Sequence, residues 1–76
     1  MTISEGRYIK DLINILEKGA AAAERMGAAR GLGHVGGADA ANALLEAAHN
    51  AGTSEERGAA AEALGMALVN SRPKGR

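Results

Sequence analysis

The chain contains no cysteine, no tryptophan and no phenylalanine, and only one proline and one tyrosine in 76 residues. Without cysteine there is no disulfide framework, no thiolate nucleophile and no thiolate metal ligand. With Tyr8 as the single aromatic residue, an aromatic core and a stacking platform for bases are excluded. The β-branched and aromatic runs of a sandwich or barrel are missing as well. So is charge of one sign. Nine basic and nine acidic residues cancel, and no overall field steers the chain toward nucleic acid or anionic lipid. No uncharged stretch approaches the roughly 20 residues of a membrane helix. Residues 1–8 show no apolar segment of a signal peptide. These absences lead to the expectation of a cytoplasmic protein with no cofactor and no membrane partner.

What the chain has is alanine. Residues classed as hydrophobic make up 46%, yet 18 of those 35 are alanine, so bulk for a core is scarce. At this length only about 60% of the unfolded surface can be hidden. Alanine-rich sequence seamed with leucine, at 24% charge, points to close-packed helices.

An internal repeat organises them. A shift of 32 residues lays Glu24-Arg25-Met26-Gly27-Ala28-Ala29-Arg30-Gly31-Leu32-Gly33 on Glu56-Arg57-Gly58-Ala59-Ala60-Ala61-Glu62-Ala63-Leu64-Gly65, with six of ten positions identical. The same shift lays Ile9, Leu12, Ile13 and Leu16 on Ala41, Leu44, Leu45 and Ala48. Two segment types therefore alternate.

Periodicity gives four helices. The first runs from Tyr8 to Lys18 with a stripe of Ile9, Leu12, Ile13 and Leu16, and Gly19 stops it. The second runs from Ala20 to His34, with Arg25, Ala28, Ala29, Leu32 and Val35 on one side; Gly36-Gly37 breaks it. The third, Ala38 to Asn50, turns Ala41, Leu44, Leu45 and Ala48 inward and closes at Gly52. Thr53-Ser54-Glu55-Glu56 reads as a capping box that opens the fourth, Ser54 to Val69, with Ala60, Ala61, Leu64 and Leu68 inward. A second box, Thr2-Ile3-Ser4-Glu5, adds a frayed turn within residues 1–7, and residues 70–76 form a disordered basic tail. Gly27, Gly31 and Gly58 fall inside helices, each at about 1 kcal/mol relative to alanine. Either they let helix backbones approach closely, or they leave the domain marginally stable.

At these residues the chain resembles the HEAT-like repeat family, in the form found in phycobilisome lyases. That family's first helix reads Arg-x-x-Ala-x-x-Ala-Leu-Gly. Arg57 through Ala60 and Ala63-Leu64-Gly65 match every fixed position, and Arg25 through Gly33 match with Gly31 for one alanine. Val35 to Leu45 follows the family's turn and second helix, with Gly37 and Ala38 where the family carries Asp and Pro. Glu24 and Glu56 stand where the family is commonly apolar. The resemblance covers residues 8–69. It implies an all-α fold of four helices in two antiparallel hairpins, a short α-solenoid.

Motifs for chemistry fail on context. Gly31-Leu32-Gly33-His34-Val35-Gly36 spells a dinucleotide fingerprint, but it follows a helix instead of the strand that the phosphate loop requires. Glu46 and His49 have the Glu-x-x-His spacing of di-iron bundles, in one copy where two are needed. Ser4, Ser54, Ser71, Thr2 and Thr53 lie in caps or tails, where hydroxyls serve backbone N–H groups. Arg72, Lys74 and Arg76 offer three charges for weak, salt-sensitive phosphate contact. The chain is read as no enzyme.

The expected function is a protein–protein interaction or scaffold module. The alternatives are an accessory factor in cofactor attachment or enzyme maturation, as the lyase resemblance implies, and a weak nucleic-acid binder. Arg25 and Arg57 recur at one repeat position. They either bond a preceding turn, a helix end or an acidic side chain, or form a ladder for a partner. Ile9, Leu12, Ile13, Ile15 and Leu16 crowd the first helix, with Ile15 off the main stripe. A repeat buries its apolar face only against neighbours. A homodimer is therefore expected, through paired first helices or through one chain's terminal helix stacked on the other's.

Overall fold

The computed structural model describes residues 5–71, and these form four helices: α1 (Glu5–Lys18), α2 (Ala22–Val35), α3 (Ala38–Asn50) and α4 (Ser54–Asn70). The box expected at Thr2–Glu5 and the basic tail fall on or reach into residues 1–4 and 72–76, outside that range. No strand occurs among the described residues. The expected all-α fold of four helices is the one observed, with α3 on the expected bounds.

Local chemistry sets the helix ends. After α1, the Gly19 N–H bonds the Ile15 carbonyl at 2.8 Å. The helix expected from Ala20 begins two residues later. The Glu24 carboxylate reaches back to accept the Ala20 and Ala21 N–H groups at 3.0 and 3.2 Å, holding Ala21 extended as the cap. Gly36 and Gly37 end α2 with φ of 74° and 92°, a region that favours glycine. Thr53 Oγ1 accepts the Glu56 N–H at 3.1 Å and opens α4. The other half of that expected box is absent, because Glu56 sends its carboxylate elsewhere. The end of α4 lies past the expected boundary at Val69. Asn70 Nδ2 donates to the Gly33 and His34 carbonyls at 3.0 and 3.1 Å. Ser71 Oγ accepts the Gly37 N–H at 2.6 Å. The last turn of α4 thereby satisfies orphan groups at the end of α2 and in the turn beyond it.

α1 packs antiparallel on α2: Leu12 lies against Gly31 and Tyr8 beside Val35. α3 and α4 form the second hairpin. The two hairpins join chiefly through α2 and α4. These run parallel, because Arg25 meets Glu56 while Gly33 meets Ala63 and Asn70. The slab measures 38 × 29 × 15 Å, so its core is a single thin seam. Leu32 and Leu44 are fully enclosed there, with Leu16 and the alanines 28, 29, 40, 60, 63 and 67 around them.

Inward positions differ from expectation on three helices. Val35, Leu45 and Leu68 are exposed, Ala61 is exposed and Leu64 is only half-buried. The buried stripe of α4 is Glu56, Ala59, Ala60, Ala63 and Ala67, and α3 buries Ala40 beside Leu44. α4 packs against both α2 and α3, and small side chains are what a two-sided close approach admits. The close-approach reading of the glycines holds inside α2 at Gly33, and not at Gly27, Gly31 or Gly58. A Cβ on Gly33 would lie 2.9 Å from the Ala63 carbonyl oxygen. Gly31 has ordinary contact with Leu12, and a Cβ on Gly27 or Gly58 would meet nothing within 4 Å. Gly58→Ala should therefore stabilise the domain by about 1 kcal/mol, raising the thermal midpoint by about 4–8 °C. Melting followed by circular dichroism measures it, and a lower midpoint would mean that Gly58 is enclosed.

Candidate interaction surface

The repeat positions carry the polar chemistry of the joint between hairpins. Arg25 forks onto Glu56, Nε to Oε1 at 3.1 Å and Nη2 to Oε2 at 2.9 Å, while its Nη1 donates to the Gly19 carbonyl. Arg57 repeats that last bond, donating from Nη1 to the Ala51 carbonyl at 2.8 Å. Each arginine thus closes the turn six residues before it. Among the described residues, only Arg25 also crosses to another helix. Glu56 is 6% exposed, a depth at which a carboxylate needs such a partner.

The hydrogen bond from Arg25 is the largest influence on Glu56, and it holds the carboxyl below its ordinary value against the opposing effect of desolvation. The same bond raises Arg25. The unfolded chain therefore binds more protons at Glu56 than the folded one does in mild acid. The stabilising contribution is complete above the ordinary glutamate value of 4.5 and is lost as pH falls from there through the lower folded value. Arg25 stays charged throughout that window. Glu56→Gln should be less stable than the unmodified chain at neutral pH, and the gap should close in acid. Denaturant melts across this range test it, and a gap that widens in acid would contradict the ion pair.

Between the C-terminal ends of α1 and α3 and the start of α4 lies an open groove of about 470 Å³, with Glu17, Arg25, Glu46 and Glu56 on its walls. Glu46 and His49 share α3, both exposed, and no group of three His, Asp or Glu side chains converges among the described residues. Gly31 and Gly33 lie inside α2, and the glycine motif is a helix end and a turn.

The residues expected to form an association surface separate. Leu16 is buried in the core, and Ile9 and Leu12 are half-buried against it, since α2 covers that stripe of α1 and α3 touches it. Ile15 alone of that set is exposed, at 41%. Besides Ile15, the large apolar side chains exposed among the described residues are Tyr8, Val35, Leu45, Met66, Leu68 and Val69. Tyr8 and Val35 flank a shallow hollow of about 330 Å³ on the first hairpin. Leu45, Leu68 and Val69 lie on the second. Sequence reasoning missed these exposed side chains because it sent Val35, Leu45 and Leu68 inward. It gave the two arginines a preceding turn or an acidic side chain, as the Gly19, Ala51 and Glu56 bonds show, but Glu56, 31 residues from Arg25, was beyond its reach.

Stacked, sequence-related helical hairpins with a parallel joint define a helical-repeat protein. The family model for HEAT repeats matches residues 6–71, and the chain belongs to that family. No curated protein and no solved structure gives a significant match. No helix among the described residues is long and apolar enough to cross a membrane.

Proposed function

We propose that the chain is a non-catalytic protein–protein interaction module of the cytoplasm, and that it self-associates, at minimum as a homodimer. One observation carries this reading. A domain with only two fully buried leucines leaves Tyr8, Val35, Leu45 and Leu68 exposed. Large apolar side chains left exposed on so small a domain, two of them flanking one hollow, support a contact surface. HEAT repeats generally mediate protein interaction, which supports the same reading. The accessory role in cofactor attachment rests on the lyase-type resemblance alone, and the nucleic-acid role on Arg72, Lys74 and Arg76, outside the described residues.

Light scattering coupled to size exclusion at tens of micromolar tests the self-association. The expected mass is at least twice the 7.7 kDa of one chain. A steady single-chain mass would transfer the surface to a different protein. Affinity capture with Tyr8→Ser and Leu68→Ser as controls would then decide whether the module reading stands.

A further inference from the structure

The stack of α4 on α2 joins the two hairpins, and the 32-residue repeat copies both halves of that joint onto the two ends of the molecule. On the α2 side the joint uses Arg25, which bonds Glu56, and Gly33, which lies against Ala63. The repeat lays these on Arg57 and Gly65. On the α4 side the joint uses Glu56 and Ala63, and the repeat lays these on Glu24 and Gly31.

Burial shows which copies lack a neighbour. Ala29 and Gly36 are buried, while their counterparts Ala61 and Leu68 are exposed. Ala40 and Ala67 are fully buried, while their counterparts Tyr8 and Val35 are exposed. From Arg57 to Gly65 the outer face of the second hairpin thus repeats the layout of the face that α2 gives to α4, and past it Leu68 stands where the joint has Gly36. The outer face of the first hairpin repeats, at Glu24 and Gly31, the positions that Glu56 and Ala63 hold on the face α4 gives to α2, with the larger Val35 and Tyr8 where the second hairpin has Ala67 and Ala40.

Charge completes the match. Arg57 spends Nη1 on Ala51, as Arg25 spends Nη1 on Gly19. Its Nε and Nη2, which in Arg25 fork onto Glu56, bond no carboxylate among the described residues. Among the described residues, Glu24 accepts only from its own helix start, through Oε1. One end of the molecule presents an arginine set for a carboxylate, and the other presents the carboxylate. Gly65 fits the same layout. A Cβ there would meet nothing within 4 Å in the single chain, whereas at Gly33 it would collide with the neighbouring helix.

We propose that a second copy of this chain stacks head-to-tail on α4, with Arg57 forked onto Glu24 of the partner subunit and Gly65 against the partner's Gly31. This rests on the reading of the chain as an interaction module and names the partner as the chain itself. The contact is heterologous, so each added copy leaves a fresh end and growth continues past the dimer.

Sedimentation velocity from tens to hundreds of micromolar tests it, with circular dichroism as the check on folding. The mass should rise with concentration beyond two chains. Arg57→Glu and Glu24→Arg should each weaken association by roughly a hundredfold, since each sets like charges face to face. An equimolar mixture of the two should assemble again, because each variant supplies the charge that the other's altered end needs. Gly65→Ala, open in the single chain, should raise the melting temperature yet weaken association, and it decides the matter if either charge variant loses helix. A monomer at every concentration overturns the stacking, as does a closed dimer indifferent to Gly65→Ala and to the charge swaps. A monomer that still captures a different protein through Tyr8 or Leu68 overturns only the stacking and leaves the module reading in place.

Discussion

Leu44→Ala and Leu32→Ala will each lower the unfolding free energy by about 2–5 kcal/mol, enough to leave much of the chain unfolded at room temperature. Both side chains are fully enclosed, and among the described residues no larger one shares that depth. Around them the buried core is chiefly alanine, with Leu16 as its one other large side chain among the described residues, so little bulk can collapse into the space a lost leucine leaves. The surrounding helices can close the cavity only by moving, and the 15 Å slab has no second layer to draw on. Leu68→Ala, at an exposed site, should change stability by about 0.5 kcal/mol or less. Half-buried Leu64 should fall between. Urea melts at low protein concentration, where association adds nothing to apparent stability, give the order. A cost at Leu68 equal to that at Leu44 would mean that α4 is rotated from the position described.

Gly33→Ala will destabilise by about 1–3 kcal/mol although alanine is the better helix former. The added Cβ would stand 2.9 Å from the Ala63 carbonyl oxygen and 3.2 Å from the Ala63 Cα. Both are backbone atoms of a packed helix, so relief requires α4 to back away. That movement would stretch the Arg25–Glu56 fork and the Asn70 bonds to the end of α2. Gly36→Ala meets a second kind of obstacle. Its φ of 74° is strained for any residue with a Cβ, and that Cβ would meet Asn70 and Ala67 at 3.0–3.1 Å. A cost of about 1–3 kcal/mol is expected there too. Gly65→Ala, at the repeat position equivalent to Gly33, should instead gain about 1 kcal/mol in the single chain. Opposite signs at Gly33 and Gly65 would show that one glycine is held by packing and the other is open. Equal gains at both would show that α2 and α4 do not approach closely.

Much of this fold is legible from local signals. Glycines after α2 and α3 bracket α3 and give its extent, and the Thr53 cap fixes the start of α4. Ile15 falls off the stripe of α1 by periodicity alone, and it is exposed. The rotation of α4 is not legible in this way. A reading that seeks large apolar residues turns Leu64 and Leu68 inward, whereas α4 meets two neighbours and buries the alanines that fit between them. Glu56 shows the same limit. Its spacing from Thr53 suits a capping box, and its actual partner becomes apparent only once α2 and α4 are known to run parallel with an offset near the repeat length. Its repeat mate Glu24 does cap its own helix, because no arginine from another helix reaches it within the described chain. The repeat itself, visible from the first reading, is what relates the inner joint to the two outer faces.

The parallel joint between α2 and α4 underlies both the fold and the proposed stacking, and a nuclear Overhauser measurement on isotope-labelled protein tests it most directly. At low concentration, cross-peaks are expected from the Gly33 α-protons to the Ala63 methyl, together with cross-peaks between Arg25 and Glu56 side chains. Gly65 should then show none beyond its own helix. Gly33 cross-peaks to residues near Glu56 in place of Ala63 would mean that the two helices run antiparallel, and would contradict the joint.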